Sequence, residues 1–139
     1  MITAAVEGAG DQCGVLAVTV LTSMDAEAYS EATGKAVDSV PDEVSRLGRL
    51  AREAGAHGVV CSGHEVAQIR TENSDRLATL VPGVRLEGDS ANDQSRVVTP
   101  ADAARVGATY VVLGRTVTRS SDPVSAMKRV LADLSSGSR

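Results

Sequence analysis

Two arginines in this chain of 139 residues stand just beyond apolar runs, where a guanidinium suits a phosphate or a carboxylate. Arg85 closes the string Pro82-Gly83-Val84-Arg85, and Arg115 follows Val111-Val112-Leu113-Gly114. Gly114 lets a ligand approach the backbone closely, and its amide together with that of Arg115 could donate to phosphate oxygens. Arg115 adds a charged fork of donors. Thr22 and Ser23 end another apolar run, so their hydroxyls could bond a base or a ribose, or simply cap the turn that follows. Gln94 lies in the long polar stretch 86–96, longer than the usual two to six residues of such a connection. From a binding loop it could offer a neutral donor to a phosphate oxygen; the same composition also fits a solvated surface loop.

Other reactive residues carry weaker signals. Cys13 and Cys61 have no CxxC or Cys/His spacing, so neither a disulfide framework nor a metal site is expected. Cys61 reads as a small core residue rather than a nucleophile, Ser62 as a helix N-cap, and His64 as a solvated residue opening a helix. The formal charge of −4 argues against a general nucleic-acid or membrane-surface binder, and two tyrosines as the only aromatics argue against a base-stacking platform. No apolar stretch approaches the ~18 residues of a membrane span, and no signal peptide is evident. A cytoplasmic setting is the default expectation. Twelve arginines stand against two lysines, Lys35 and Lys128.

These residues need a scaffold, and four runs supply one: 15–21 (VLAVTVL), 58–61 (GVVC), 78–81 (ATLV) and 109–113 (TYVVL). They are β-branched and continuous rather than alternating, the pattern of parallel strands covered on both faces. Between them lie helical segments. Residues 41–54 place Val44, Leu47, Leu50, Ala51 and Ala54 on one face, with Gly55 as a natural stop. A shorter helix is predicted from 64 to about 70. Thr99-Pro100 starts a third, ended by Gly107, and Asp122-Pro123 opens the last. A frayed tail is expected over 135–139. Residues 2–8 read as a helix already under way, with the look of a cut edge. The expected fold is a single α/β domain over 1–139: about four parallel β/α units with right-handed crossovers, preceded by the end of one helix.

The strings AAVEGA (4–9), LAVTVLTSMD (16–25), AREAGAHGVVCS (51–62), LVPGVR (80–85), DSANDQSRVVTPADA (89–103) and YVVLGRTVT (110–118) occur in this order, with Asp122-Pro123 beyond. Together they resemble the bacterial orotidine 5′-phosphate decarboxylases over nearly the whole chain. The resemblance implies a (β/α)₈ TIM-barrel fold, of which this chain would be the C-terminal half. A whole barrel typically takes about 250 residues. It also implies a homodimer without metal or cofactor, with a nucleotide monophosphate (orotidylate or uridylate) as ligand. Thr22 matches the strand-end hydroxyl that contacts the nucleotide, Arg85 the arginine of the PGIR-type segment, and Gln94 the glutamine of the phosphate-gripping loop. Gly114 and Arg115 match the last-strand pair that holds the phosphate.

The sequence departs from that family at its chemistry. The family's catalytic centre is an alternating Lys/Asp array with a D-x-K-x-x-D segment, and no such segment occurs here. Neither Lys35 nor Lys128 has an aspartate two residues before it. No catalytic residue is therefore assigned, and the chain alone is expected to be inactive or nearly so. Three roles stay open: a decarboxylase half that works when the other half is supplied, a non-catalytic nucleotide-phosphate binding module, and a structural half-barrel. Self-association through exposed sheet edges is expected under all three.

Overall fold

A computed structural model of the chain describes residues 1–73, 76–89 and 96–138. The element order is α1 (Ile2–Ala9), β1 (Leu16–Val18), α2 (Ala26–Thr33), α3 (Val40–Glu53), β2 (Gly58–Val60), α4 (Val66–Asn73), β3 (Ala78–Val81), α5 (Pro100–Arg105), β4 (Tyr110–Val111), α6 (Arg115–Thr118) and α7 (Pro123–Gly137). The strands form one parallel sheet in the order β1-β2-β3-β4. Each expected strand is present: β3 has the expected bounds, and β1, β2 and β4 are shorter where the ladder gives way to loops. No helix among the described residues is long and apolar enough to cross a membrane.

Local chemistry explains most boundaries. The Ser39 side chain accepts from the Asp42 amide at the start of α3, the Thr99 side chain from the Asp102 amide at α5, and the Asp122 side chain from the Ser125 amide at α7. Gly55 and Gly107 follow α3 and α5 with φ of 84° and 80°, a conformation that favours glycine. Two helices were not legible beforehand. The α2 helix starts where Asp25 accepts from the Ala28 amide and stops at Gly34, but it buries no residue and so shows no apolar stripe. The four residues of α6 are too few to show a periodic pattern.

The expected frayed tail is corrected. The helix α7 continues to Gly137, which is buried against α5: a Cβ there would lie 2.1 Å from the Ala101 carbonyl oxygen. One turn earlier, Asp133 Oδ2 accepts from the Ala101 amide at 3.0 Å. Close backbone approach and a capping carboxylate hold the end in place.

The two sheet faces differ. On one, Val59, Cys61, Thr79 and Val81 are fully buried, within a core that includes Val44, Ala51, Val66 and Ile69 from α3 and α4. On the other, the register aligns Val18, Val60, Leu80 and Tyr110 in one row across all four strands. Val18 is 59% exposed and Tyr110 56%, and Val112 beyond it is exposed too. The strand sequences suggested cover on both faces, yet the described helices cover one. A continuous apolar run reads alike whether its second cover comes from this chain or from elsewhere.

Candidate functional site at the C-terminal rim of the sheet

All four described candidates lie beyond the C-terminal ends of strands, the end at which parallel β/α sheets gather their sites. Thr22 follows β1 and is buried. Arg85 follows β3 through Pro82 and Gly83, whose φ of 73° turns the chain, and is also buried. Gly114 and Arg115 follow β4 at the start of α6. Thr22, Arg85, Gly114 and Arg115 line one cleft of about 320 Å³, together with Leu21, Ser23, Pro82, Gly83 and Val112. Gln94 lies outside the described residues.

Hydrogen bonds between the loops fix this convergence. The Val84 carbonyl accepts from Arg85 Nη1 at 2.9 Å and from Thr116 Oγ1 at 3.2 Å, so one oxygen joins the end of β3 to α6. Val84 also forms a parallel bridge with Val98, and the Arg85 amide donates to the Val98 carbonyl at 3.0 Å. At Gly114 an added Cβ would meet nothing within 4 Å of the protein. Packing within the chain therefore does not call for glycine there. The open space leaves room for a ligand against the backbone.

A second cleft, of about 200 Å³, shares two of these arginines. Arg85, Arg115, Arg119 and Arg129 line it with Leu86, Asp89, Thr116, Ser120 and Ala126. Four guanidinium groups and one carboxylate give this corner a positive field within a chain of net charge −4. Arg119 and Arg129 were not singled out from the sequence. The signals were the spacing of Arg115 and Arg119, one turn apart, and the strong bias toward arginine over lysine.

Residues weighed for other chemistry sit as follows. Cys61 is fully buried, and burial, helped by the nearby Glu65 charge, pushes its thiol up to about 12. A thiol so raised is a poor nucleophile. Ser62 Oγ accepts from the His64 amide at 3.3 Å, and Glu65 Oε2 accepts from the Ser62 amide at 2.9 Å, a capping-box pattern ahead of α4. His64 itself is exposed. Lys35 is paired with Glu43 at 2.8 Å, away from the cleft, and Lys128 lies on α7.

Four parallel β/α units with polar side chains gathered beyond the strand ends define half of a (β/α)₈ barrel. The chain belongs to the orotidine 5′-phosphate decarboxylase / HUMPS family, whose model matches residues 1–130. It is 49% identical over 135 residues to the orotidine 5′-phosphate decarboxylase of Anaeromyxobacter sp. (strain K), covering 96% of this chain and 58% of that protein. It is 46% identical over 123 residues to that of Gluconobacter oxydans (strain 621H), covering 88% of this chain and 51% of the relative. Among solved structures, the orotidine 5′-phosphate decarboxylase from Lactobacillus acidophilus superposes with a TM-score of 0.77 at 27% identity, covering 96% of this chain and 58% of that one. The chain thus spans roughly half the length of these relatives.

Proposed function

We propose that this chain is the nucleotide-gripping half of an orotidine 5′-phosphate decarboxylase, a carbon–carbon lyase of pyrimidine (uridine monophosphate) biosynthesis in the cytoplasm. The observation that carries this is the convergence of Thr22, Arg85, Gly114 and Arg115 on one cleft. In this role Arg85 and Arg115 neutralise the phosphate of orotidylate or uridylate, and the open space at Gly114 admits its oxygens to the backbone. Thr22 bonds the nucleoside end, and Gln94 adds a neutral donor.

The reaction breaks the bond between C6 of the pyrimidine and its carboxylate, leaving the electron pair on C6 as carbon dioxide departs. An adjacent ammonium group stabilises that pair and then delivers a proton to C6. Neither lysine of this chain is a candidate for that work. Lys35 is committed to Glu43, and Lys128 lies on α7, outside the cleft. By itself the chain therefore contributes binding, not turnover. Binding energy at a phosphate remote from C6 serves catalysis only when it holds the reacting ring against that charge.

The uncovered sheet face supports a second element. Val18, Tyr110 and Val112 are exposed on it, and β1 and β4 are the edge strands of the sheet. Such a face associates, with a second copy or with the complementary half of a barrel. If it only associates, the chain is a structural half-barrel without a ligand.

Calorimetric titration of uridine monophosphate into the purified chain tests the binding role. Arg115→Ala removes a charge-assisted hydrogen bond of roughly 1.5–3 kcal/mol, so the affinity should fall about 10- to 100-fold. Unchanged binding in that variant overturns the assignment. Loss of orotidylate absorbance on incubation with the chain alone overturns the division between binding and turnover.

A further inference from the structure

One ion pair at the rim lies outside the cleft lining yet reaches the segment after β1 that carries Thr22. Arg96 Nη1 sits 2.7 Å from Glu65 Oε1, with the arginine side chain 14% exposed and the glutamate 3%. The other terminal nitrogen, Nη2, donates to the Val20 carbonyl at 3.2 Å and the Leu21 carbonyl at 3.1 Å. The Arg96 amide donates to the Thr22 carbonyl at 3.3 Å. One residue thus holds three consecutive carbonyls where the chain leaves β1, an edge strand of the sheet formed by the described residues.

Glu65 is itself fixed. Its second oxygen, Oε2, accepts from the Ser62 amide at the exit of β2. Two residues after Arg96, Val98 packs against Gly63, where an added Cβ would come within 2.7 Å of the Val98 methyl groups. Val98 also bridges Val84 beside Arg85. The exits of β1, β2 and β3 are therefore tied together through Arg96, Glu65 and Val98.

We propose that Arg96, with Glu65 as its counter-ion, is a positioning residue that holds the β1 exit so that Thr22 faces the cleft. It thereby sets affinity for the nucleoside end of the ligand and leaves the phosphate end untouched. The proposal rests on the nucleotide-binding role given above. The two terminal nitrogens of the planar fork serve the carboxylate and the two backbone carbonyls from separate positions; a lysine ammonium in the same place keeps the charge but offers its donors from a single nitrogen. The cost is visible in Arg96 Nε, a buried donor with no hydrogen-bond partner among the described residues. A side chain retained for packing or charge alone would not require that arrangement.

The test compares uridine monophosphate with inorganic phosphate by calorimetry, in the full chain and in Arg96→Lys, Thr22→Val and the double variant. If Arg96 acts through Thr22, Arg96→Lys weakens uridylate about tenfold, the loss of one hydrogen bond of roughly 1.4 kcal/mol. Phosphate affinity stays within about twofold, and the double variant is no weaker than Thr22→Val alone. Equal losses for both ligands, or additive losses in the double variant, overturn the proposal. Glu65→Gln, which keeps an acceptor for only one of the two donors that Glu65 serves, gives the same comparison should Arg96→Lys fail to fold. A ligand-free arm separates this proposal from the binding role: the carbonyl ¹³C resonances of Val20 and Leu21 should move in Arg96→Lys. If the parent chain binds no uridylate, the binding role fails, and unmoved resonances then overturn the Arg96 strut independently.

Discussion

Glu43 is the group whose removal should have the most readable consequence for the fold. It lies on α3, 4% exposed, and collects four donors from three residues, one on α3 itself and two from the segment before it. Arg46 Nε and Nη2 reach its two oxygens at 2.8 and 2.7 Å, Lys35 Nζ reaches Oε2 at 2.8 Å, and the Tyr29 hydroxyl donates to Oε1 at 3.1 Å. Tyr29 belongs to α2, and Lys35 follows it. The carboxylate is therefore the pin between α3 and an α2 helix that buries no residue of its own. The α2 helix begins directly after the Thr22 turn, so the pin also bears on the site.

The arginine bonds, opposed by burial and aided by Lys35 and Tyr29, bring the Glu43 carboxyl from 4.5 down to about 2. Such a shift corresponds to roughly 3 kcal/mol favouring the ionised form. Lys35 and Arg46 are about half exposed, so solvent screening reduces this to about 1–2 kcal/mol. Because the folded value is depressed, the contribution is fully present above pH 4.5, is lost progressively as pH falls toward about 2, and is absent below it. Urea unfolding of the parent chain and Glu43→Gln, followed by far-ultraviolet dichroism, measures the difference directly. Near neutral pH the parent should be more stable by about 1–2 kcal/mol, and the gap should close across that acid window. A gap of the same size at every pH would mean that the substitution disturbs packing rather than charge, and the ion-pair account would fail.

Two further outcomes follow from burial. Under native conditions a thiol reagent should label Cys13, which is exposed, and leave Cys61 unmodified until urea unfolds the chain; equal rates at both would contradict the buried thiol. Gly137→Val should lower stability by about 1–3 kcal/mol in a urea melt, because its side chain collides with the Ala101 backbone. A neutral result there would restore a frayed tail.

The sequence was most informative where a residue's neighbours in the chain determine its place. Runs of Val and Leu between turn residues marked all four strands, and a strand's end is the rim, so Thr22, Arg85, Gly114 and Arg115 could be gathered from the sequence. Thr99-Pro100 and Asp122-Pro123 announced their helices by the same local logic. The α2 helix escaped because its evidence is confined to two caps, Asp25 and Gly34, with no apolar stripe between them. Arg96 and Glu65 escaped for a different reason. They are 31 residues apart in sequence, and nothing at either position announces a partner on another loop.

That distinction bears on how a half-barrel can carry a formed site. The cleft residues are held by bonds internal to this chain: Arg85 and Thr116 share the Val84 carbonyl, Val98 bridges Val84, and Arg96 gathers the exit of β1. None of those bonds involves the uncovered face on which Val18, Tyr110 and Val112 lie. Cover for that face would add stability through apolar burial, at about 25 cal/mol per Å², without having to arrange the rim. Under the proposed function, ligand grip and the reacting charge are separable structural problems: the first falls to the strand exits of this sheet, the second to a lysine outside the residues that line the cleft.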